Sequence, residues 1–218
     1  MKNTMHAGLA AIAALALLLP TGAALAAAPG RGTDDTQAAA NIRALLQNDP
    51  VVPTVAPRGA DVTIVLFSDY QCPYCKQIHP VIQQLLREDR KVKVVYRDWP
   101  IFGAGSVEAA RTAIAANYQG RHAAFNDAMM QTPGRITSQG VRAAADRAGI
   151  DWNRLQGDLA IHAKDIDAAI TRTNLYATVM GLKGTPGILV GPYLIPGAVD
   201  IANLRRVVAR ARANPTGA

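Results

Sequence analysis

Val62-Thr63-Ile64-Val65-Leu66-Phe67-Ser68-Asp69-Tyr70-Gln71-Cys72-Pro73-Tyr74-Cys75-Lys76 is the stretch that decides the fold. Its first six residues are almost all apolar and β-branched, the composition of a strand buried on both faces. They run directly into Cys72 and Cys75, the chain's two cysteines. Pro73 suits the first position of a helix, where its missing N–H costs nothing, so Cys72 falls at the N-cap. The helix is predicted to continue through Val81, Ile82, Leu85 and Leu86, with a kink at Pro80. A disulfide closed over so short a loop restrains few unfolded conformations, because cross-link stabilisation grows with the residues enclosed. The value of the pair is therefore chemical rather than structural.

Working outward, Val92-Lys93-Val94-Val95-Tyr96-Arg97 is a second buried strand, which completes a strand-helix-strand unit with the cysteines at the helix start. From Ser106 to about Met180 the apolar residues recur at helical spacing: Val107/Ala110/Ile114, Val141/Ala144/Ala148 and Ile166/Ile170/Thr173/Ala177. Asp151 is an N-cap candidate, and Gly149 and Gly181 are stop signals. Strands return at Gly187-Ile188-Leu189-Val190 and Tyr193-Leu194-Ile195, and a closing helix starts from an Asp200 cap. The expected organisation is α/β, with the sheet-forming domain in two pieces, 59–104 and 182–218, around a helical insertion, 105–181.

At the other end, Lys2, the apolar run Leu9 to Leu19 and the small residues Ala24-Leu25-Ala26 have the pattern of a secretory signal peptide over 1–26. The run is too short to span a bilayer, and no later stretch approaches the roughly 20 apolar residues that a membrane helix needs. The expected product is an exported, periplasmic protein that is not integral to the membrane. Residues 27–58 follow as a linker and a short amphipathic helix, Asp35 to Asn48, with Ile42, Leu45 and Leu46 on one face. That helix either packs on its own domain or pairs with a second copy, so a homo-oligomer stays open. With 218 residues, half of them apolar, the chain can bury a substantial core. The formal net charge is +7 and the isoelectric point about 9.7. The arginines are scattered without interleaved aromatics, which argues against nucleic acid as a partner and for a general attraction to anionic surfaces.

Phe67-Ser68-Asp69-Tyr70-Gln71-Cys72-Pro73-Tyr74-Cys75-Lys76, followed far downstream by Gly184-Thr185-Pro186-Gly187, resembles the DsbA-like branch of the thioredoxin superfamily. Within it the chain is most similar to the periplasmic Com1-like and ScsC-like proteins. The resemblance implies a thioredoxin fold with a helical domain inserted between its two halves. It also implies thiol-disulfide exchange with unfolded or misbridged exported proteins, and a membrane redox partner that reduces or oxidises the pair. Pro186 is expected to be cis, and the Thr185-Pro186 loop to lie against the sulfurs, where an extended substrate can add as a strand.

In that chemistry the thiolate is the nucleophile, and a free cysteine ionises only near pH ~8.5. At the N-cap the Cys72 sulfur faces unpaired backbone N–H groups and the positive end of the helix dipole, so Cys72 is the expected attacking sulfur and Cys75 the resolver. Pro73 and Tyr74 set how many N–H groups face the sulfur. By resemblance, this dipeptide implies a potential between reducing glutaredoxins and oxidising DsbA-type proteins, leaving oxidase, isomerase and reductase modes open. Relatives carry a buried acid six residues before the first cysteine, which moves the proton of the resolving thiol; here that position is Leu66. Asp69 can substitute through water or be a solvated loop residue. His79, on the same helical stripe as the cysteines, can lower a thiol pKa or simply be a partly exposed residue beside Pro80. Lys76 adds a weak field. The redox-active pair needs no cofactor. A structural zinc site is short of ligands, since no second Cys pair or His pair is present. The competing reading is a periplasmic Cu(I)-binding protein that uses the same two thiolates in copper tolerance. Met129-Met130 are soft-ligand candidates for it, or core filling.

Overall fold

A computed structural model describes residues 31–217 of the chain. The expected leader, 1–26, and the first linker residues lie outside the described residues. The decisive stretch forms strand β2 (Val62–Ser68) and helix α2 (Pro73–Glu88), and the second apolar run forms β3 (Val92–Asp98). β2 and β3 pair in parallel from Val62 opposite Val92 to Ser68 opposite Asp98. β4 (Gly187–Val190) runs antiparallel along the other side of β2, and β5 (Tyr193–Pro196) closes that edge. A two-residue strand β1 (Thr54–Val55) pairs with β3, giving the order β1-β3-β2-β4-β5. β1 falls inside the stretch expected to be linker, because two residues carry no period that a pattern can detect.

The continuous apolarity of β2 and β3 follows from helices covering both faces of the sheet. One face carries Ile64, Leu66, Val94 and Tyr96, packed under Ile78, Ile82 and Leu85 of α2 and under Leu204 and Val208 of α8 (Ile201–Ala213). The other carries Val65, Phe67 and Val95 against the helical insertion. Each such aliphatic or aromatic side chain, fully buried, stabilises the fold by roughly 1.5–3 kcal/mol. α2 stays helical on both sides of Pro80.

The insertion comprises α3 (Ala104–Asn117), α4 (His122–Met130), α5 (Ser138–Arg147), α6 (Trp152–Ile161) and α7 (Ala163–Val179), all between β3 and β4. Asp151 caps α6 by accepting from the Arg154 N–H, and Asp200 caps α8 through the Asn203 N–H. Gly149 and Gly181 take positive φ at helix ends, +66° and +71°, as stop signals do. The thioredoxin-type sheet is therefore interrupted by one helical domain, as expected.

α1 (Arg31–Gln47) ends against its own domain. Leu46 is fully buried, but Leu45, expected on the same apolar face, is 57% exposed. The guanidinium of Arg97, on β3 and wholly buried, donates to the Leu45 and Leu46 carbonyls and to the Asp49 carboxylate. Arg172 on α7 binds the same carboxylate at 2.7 Å. The last carbonyls of a helix lack intrahelical donors and carry partial negative charge, so a cation there satisfies both needs. Arg97 thus ties the N-terminal arm to the sheet.

Candidate active site

Cys72 is the N-cap of α2, in extended conformation (φ −74°, ψ 120°), with Pro73 at the first helical position. Because Gly187 of β4 lies opposite Phe67 of β2, the two residues before it, Thr185 and Pro186, are carried to the end of the sheet where α2 begins. The Thr185–Pro186 peptide is cis, and the Cys72 thiol donates to the Thr185 carbonyl at 3.2 Å. Both cysteines are buried and present as free thiols. The Asp69 N–H lies 3.5 Å from Cys75 Sγ, which accepts from it. Tyr74, by contrast, is exposed.

The electrostatics of the two sulfurs diverge. The Cys72 pKa is lowered to about 6, first by the hydrogen bond from the Cys75 thiol; burial opposes this, and the Thr185 hydroxyl and the N–H groups of Cys75 and Tyr74 assist. The Cys75 pKa is pushed up, chiefly by burial and then by its bond to the Cys72 sulfur. One sulfur is thus stabilised as an anion and its neighbour held neutral, the division of labour between an attacking and a resolving thiol.

Asp69 departs from the sequence reading. It is 1% exposed rather than solvated, and its carboxylate is saturated. Oδ1 accepts from the Gln71 N–H and the Ser106 hydroxyl, and Oδ2 from the Ile101 and Phe102 N–H groups. This carboxylate binds the loop after β3 to the cysteine loop. Gln71 extends the same tie through the Phe102 carbonyl, the Ser106 hydroxyl and the Ile136 N–H. His79 is buried instead of partly exposed, with Nε2 2.9 Å from Asp127 Oδ1 and Nδ1 3.4 Å from Asn126. It fastens α2 to α4. Lys76 donates to the Thr132 carbonyl. Beside Pro73 an open groove of about 590 Å³ is lined by Gln71, Lys76, Phe102, Pro133 and Arg135.

This arrangement of an N-cap cysteine, a second cysteine one turn on and a cis-proline loop agrees with the comparison to known families, in which residues 63–209 match the DSBA-like thioredoxin domain. The chain belongs to the DSBA-like thioredoxin family. A thioredoxin-like oxidoreductase from Silicibacter pomeroyi is 40% identical with a TM-score of 0.74, over 78% of this chain and 98% of that one. The thiol-disulfide exchange protein alpha-DsbA2 from Wolbachia pipientis is 26% identical with a TM-score of 0.75, over 84% and 99%. A periplasmic thioredoxin-like protein from Salmonella enterica serovar Typhimurium is 30% identical with a TM-score of 0.71, over 80% and 97%. Among curated sequences, the chain is similar to part of a Na(+)/H(+) antiporter, NhaA 1 of Salinispora arenicola, at 28% identity over 163 residues. The chain spans about a quarter of the length of the curated relatives it matches. No helix among the described residues is long and apolar enough to cross a membrane.

In this DSBA-like protein Leu66 is buried under α2 as a core residue, and the next strand ends in a buried acid that the sequence reading did not single out. Asp98, the last residue of β3, is 6% exposed and lies opposite Ser68 in the parallel register. Its pKa is raised well above the usual carboxylate range by burial, an effect the nearby Tyr70 hydroxyl partly opposes. The available signal was an acid closing an apolar strand predicted to pair with the strand that feeds the cysteines. Met129 and Met130 are both buried in the core. Among the described residues no group of three or more His, Cys, Asp or Glu is arranged to hold a metal ion.

Proposed function

We propose that this protein is an exported thiol-disulfide oxidoreductase that exchanges disulfides with extracytoplasmic proteins through Cys72 and Cys75. The observation that carries this reading is the pairing of a Cys72 whose pKa is lowered to about 6 with a Cys75 held neutral beside it. The Cys72 thiolate attacks a substrate disulfide and forms a mixed disulfide; Cys75 then attacks Cys72 Sγ and releases the substrate as a thiol. The reverse sequence oxidises a substrate. Thr185, with its carbonyl against Cys72, and Pro186 line the place where an extended substrate adds as a strand. The periplasmic Salmonella relative supports a periplasmic location, and the Wolbachia relative supports exchange chemistry.

Pro73 supplies no N–H toward the sulfur and Tyr74 supplies one, which supports a potential intermediate between oxidase and reductase. A membrane redox partner is required in either direction, and unfolded or misbridged exported proteins are the proposed substrates.

The test is reduction of a disulfide-bonded protein such as insulin by the mature chain with dithiothreitol as electron source. Cys72→Ser is expected to abolish turnover, and Cys75→Ser to trap the substrate as a mixed disulfide. Binding of Cu(I) without any turnover by the parent protein would replace this reading with the copper-carrier one. Thiol trapping in intact cells then sets the direction: a mostly reduced pair means isomerase or reductase, a mostly oxidised pair oxidase.

A further inference from the structure

The resolving step makes a demand on the fold that Cys72 does not meet. Cys75 is fully buried and its thiol pKa is pushed up by that burial, so a bare thiolate there is costly both as a nucleophile and as a leaving group. Its proton must move while the sulfur–sulfur bond forms or breaks, and bulk water does not reach it.

Three buried side-chain oxygens belong to the ends of β2 and β3 and to the loop that leads to Cys72. Ser68 Oγ, Tyr70 Oη and Asp98 Oδ2 make no well-aligned hydrogen bond to any other group among the described residues. Buried polar atoms are almost always well paired, so these three, at the end of the sheet where the cysteines sit, mark a function or a water. The Ser68 hydroxyl neighbours the Cys75 sulfur and favours its anionic form. Ser68 and Asp98 are register partners on parallel strands, and they continue the alternation of Leu66 and Tyr96, whose side chains lie under α2. The groups that face Asp98 are Tyr70 and Asp69 from the cysteine loop and Tyr96 from its own strand. Farther out, His122 on α4 rests against Tyr96 with ring centroids 4.9 Å apart. Burial pushes the His122 pKa to about 3, so it is neutral and brings no cation to the cluster. Asp98 is therefore surrounded by hydroxyls and one anion, an environment that keeps a carboxylic acid protonated.

We infer that Asp98, acting through the Ser68 hydroxyl, is the proton carrier for Cys75, a role that rests on the exchange reaction proposed above. When a substrate thiolate attacks Cys72 Sγ of the oxidised protein, the Cys72–Cys75 bond breaks and its electron pair goes to Cys75 Sγ. The Ser68 hydroxyl proton passes to that sulfur as the Asp98 carboxyl proton passes to Ser68. Cys75 ends as a neutral thiol, Asp98 as a carboxylate that regains its proton from water, and the substrate as a mixed disulfide on Cys72. In the reverse direction the Asp98 carboxylate takes the Cys75 proton by the same path as Cys75 attacks Cys72 and expels the substrate thiolate. The acid expected on β2 at Leu66 is thus supplied one strand over.

The test follows cleavage of the oxidised protein by dithiothreitol in stopped flow from pH 5 to 9, with rates divided by the concentration of dithiothreitol thiolate. The parent rate is expected to be level at low pH and to fall as Asp98 ionises. Asp98→Asn should be at least tenfold slower at pH 7, within the reach of a lost general acid, and should show no alkaline fall. Ser68→Ala should slow the reaction in the same direction without removing a charge, and it decides the matter if Asp98→Asn does not fold. The thiolate absorbance titration of Cys72 in the reduced variants should match the parent, which separates a proton-transfer role from general damage to the site. Superimposable pH-rate curves for the parent and the folded variants overturn the inference and leave the exchange reaction standing. A parent protein that dithiothreitol cannot reduce overturns both.

Discussion

Replacing Cys75 by Ala removes the hydrogen bond that contributes most to the low pKa of Cys72, and the consequence depends strongly on the pH at which it is read. With a pKa of about 6, Cys72 is roughly nine-tenths thiolate at pH 7, whereas a free thiol of pKa ~8.5 is only about 3% ionised. That is a ~30-fold difference in reacting species, but a more basic thiolate is intrinsically a better nucleophile. A Brønsted slope of about 0.4–0.5 over ~2.5 units returns roughly tenfold. At pH 7 the alkylation rate of Cys72 should therefore fall by no more than about threefold. At pH 5 the same reasoning gives a thiolate ratio of ~300 and a net loss of up to about 30-fold. These are upper limits, because the Thr185 hydroxyl and the N–H groups of Tyr74 and Cys75 still stabilise the anion. The assay is the rate of iodoacetamide labelling of the reduced protein against pH, with mass spectrometry assigning the label to Cys72. The parent profile should have its midpoint near pH 6, and the Cys75→Ala profile should move toward 8.5. A parent midpoint near 8.5, or a variant profile that overlays the parent, refutes the account of Cys72.

The lowered Cys72 pKa also makes the stability of the reduced protein depend on pH. A thiol whose folded pKa lies below its unfolded one adds stability that is fully present above the unfolded value, ~8.5, and is lost as pH falls through about 6. Relative to the oxidised form, which has no such thiol, the melting temperature of the reduced form should rise between pH 6 and 8.5; parallel curves would contradict this. Asp69→Ala should cost about 2 kcal/mol in urea unfolding, because it takes the acceptor from the Ile101 and Phe102 N–H groups and from the buried Ser106 hydroxyl. A loss below about 1 kcal/mol would show that water replaces the carboxylate there.

The local signals in this chain were strong where a feature is built from neighbours in sequence. The Cys72 N-cap, Pro73 at the first helical position, the Asp151 and Asp200 caps and the Gly149 and Gly181 stops each depend on a few consecutive residues. Readings of single polar side chains failed where distant elements decide their surroundings. Asp69 looked solvated because loops usually are, yet donors from the loop after β3 and from α3 close over it. His79 looked partly exposed until α4 brought Asp127 and Asn126 against it. Leu45 belonged to an apolar stripe, but the end of α1 is anchored by Arg97 through backbone carbonyls, and that leaves Leu45 outside.

By itself the sequence determined the fold and the family, because two cysteines at this spacing on a strand-to-helix junction, with Thr185-Pro186 downstream, specify the frame that brings these residues together. The tertiary structure decided how protons and charges are distributed around those residues. A pKa is set by burial and by whichever dipoles and acids the folded chain brings close. Asp98 reaches the cysteine helix only because β3 pairs in register with β2, a relation that no spacing along the chain encodes.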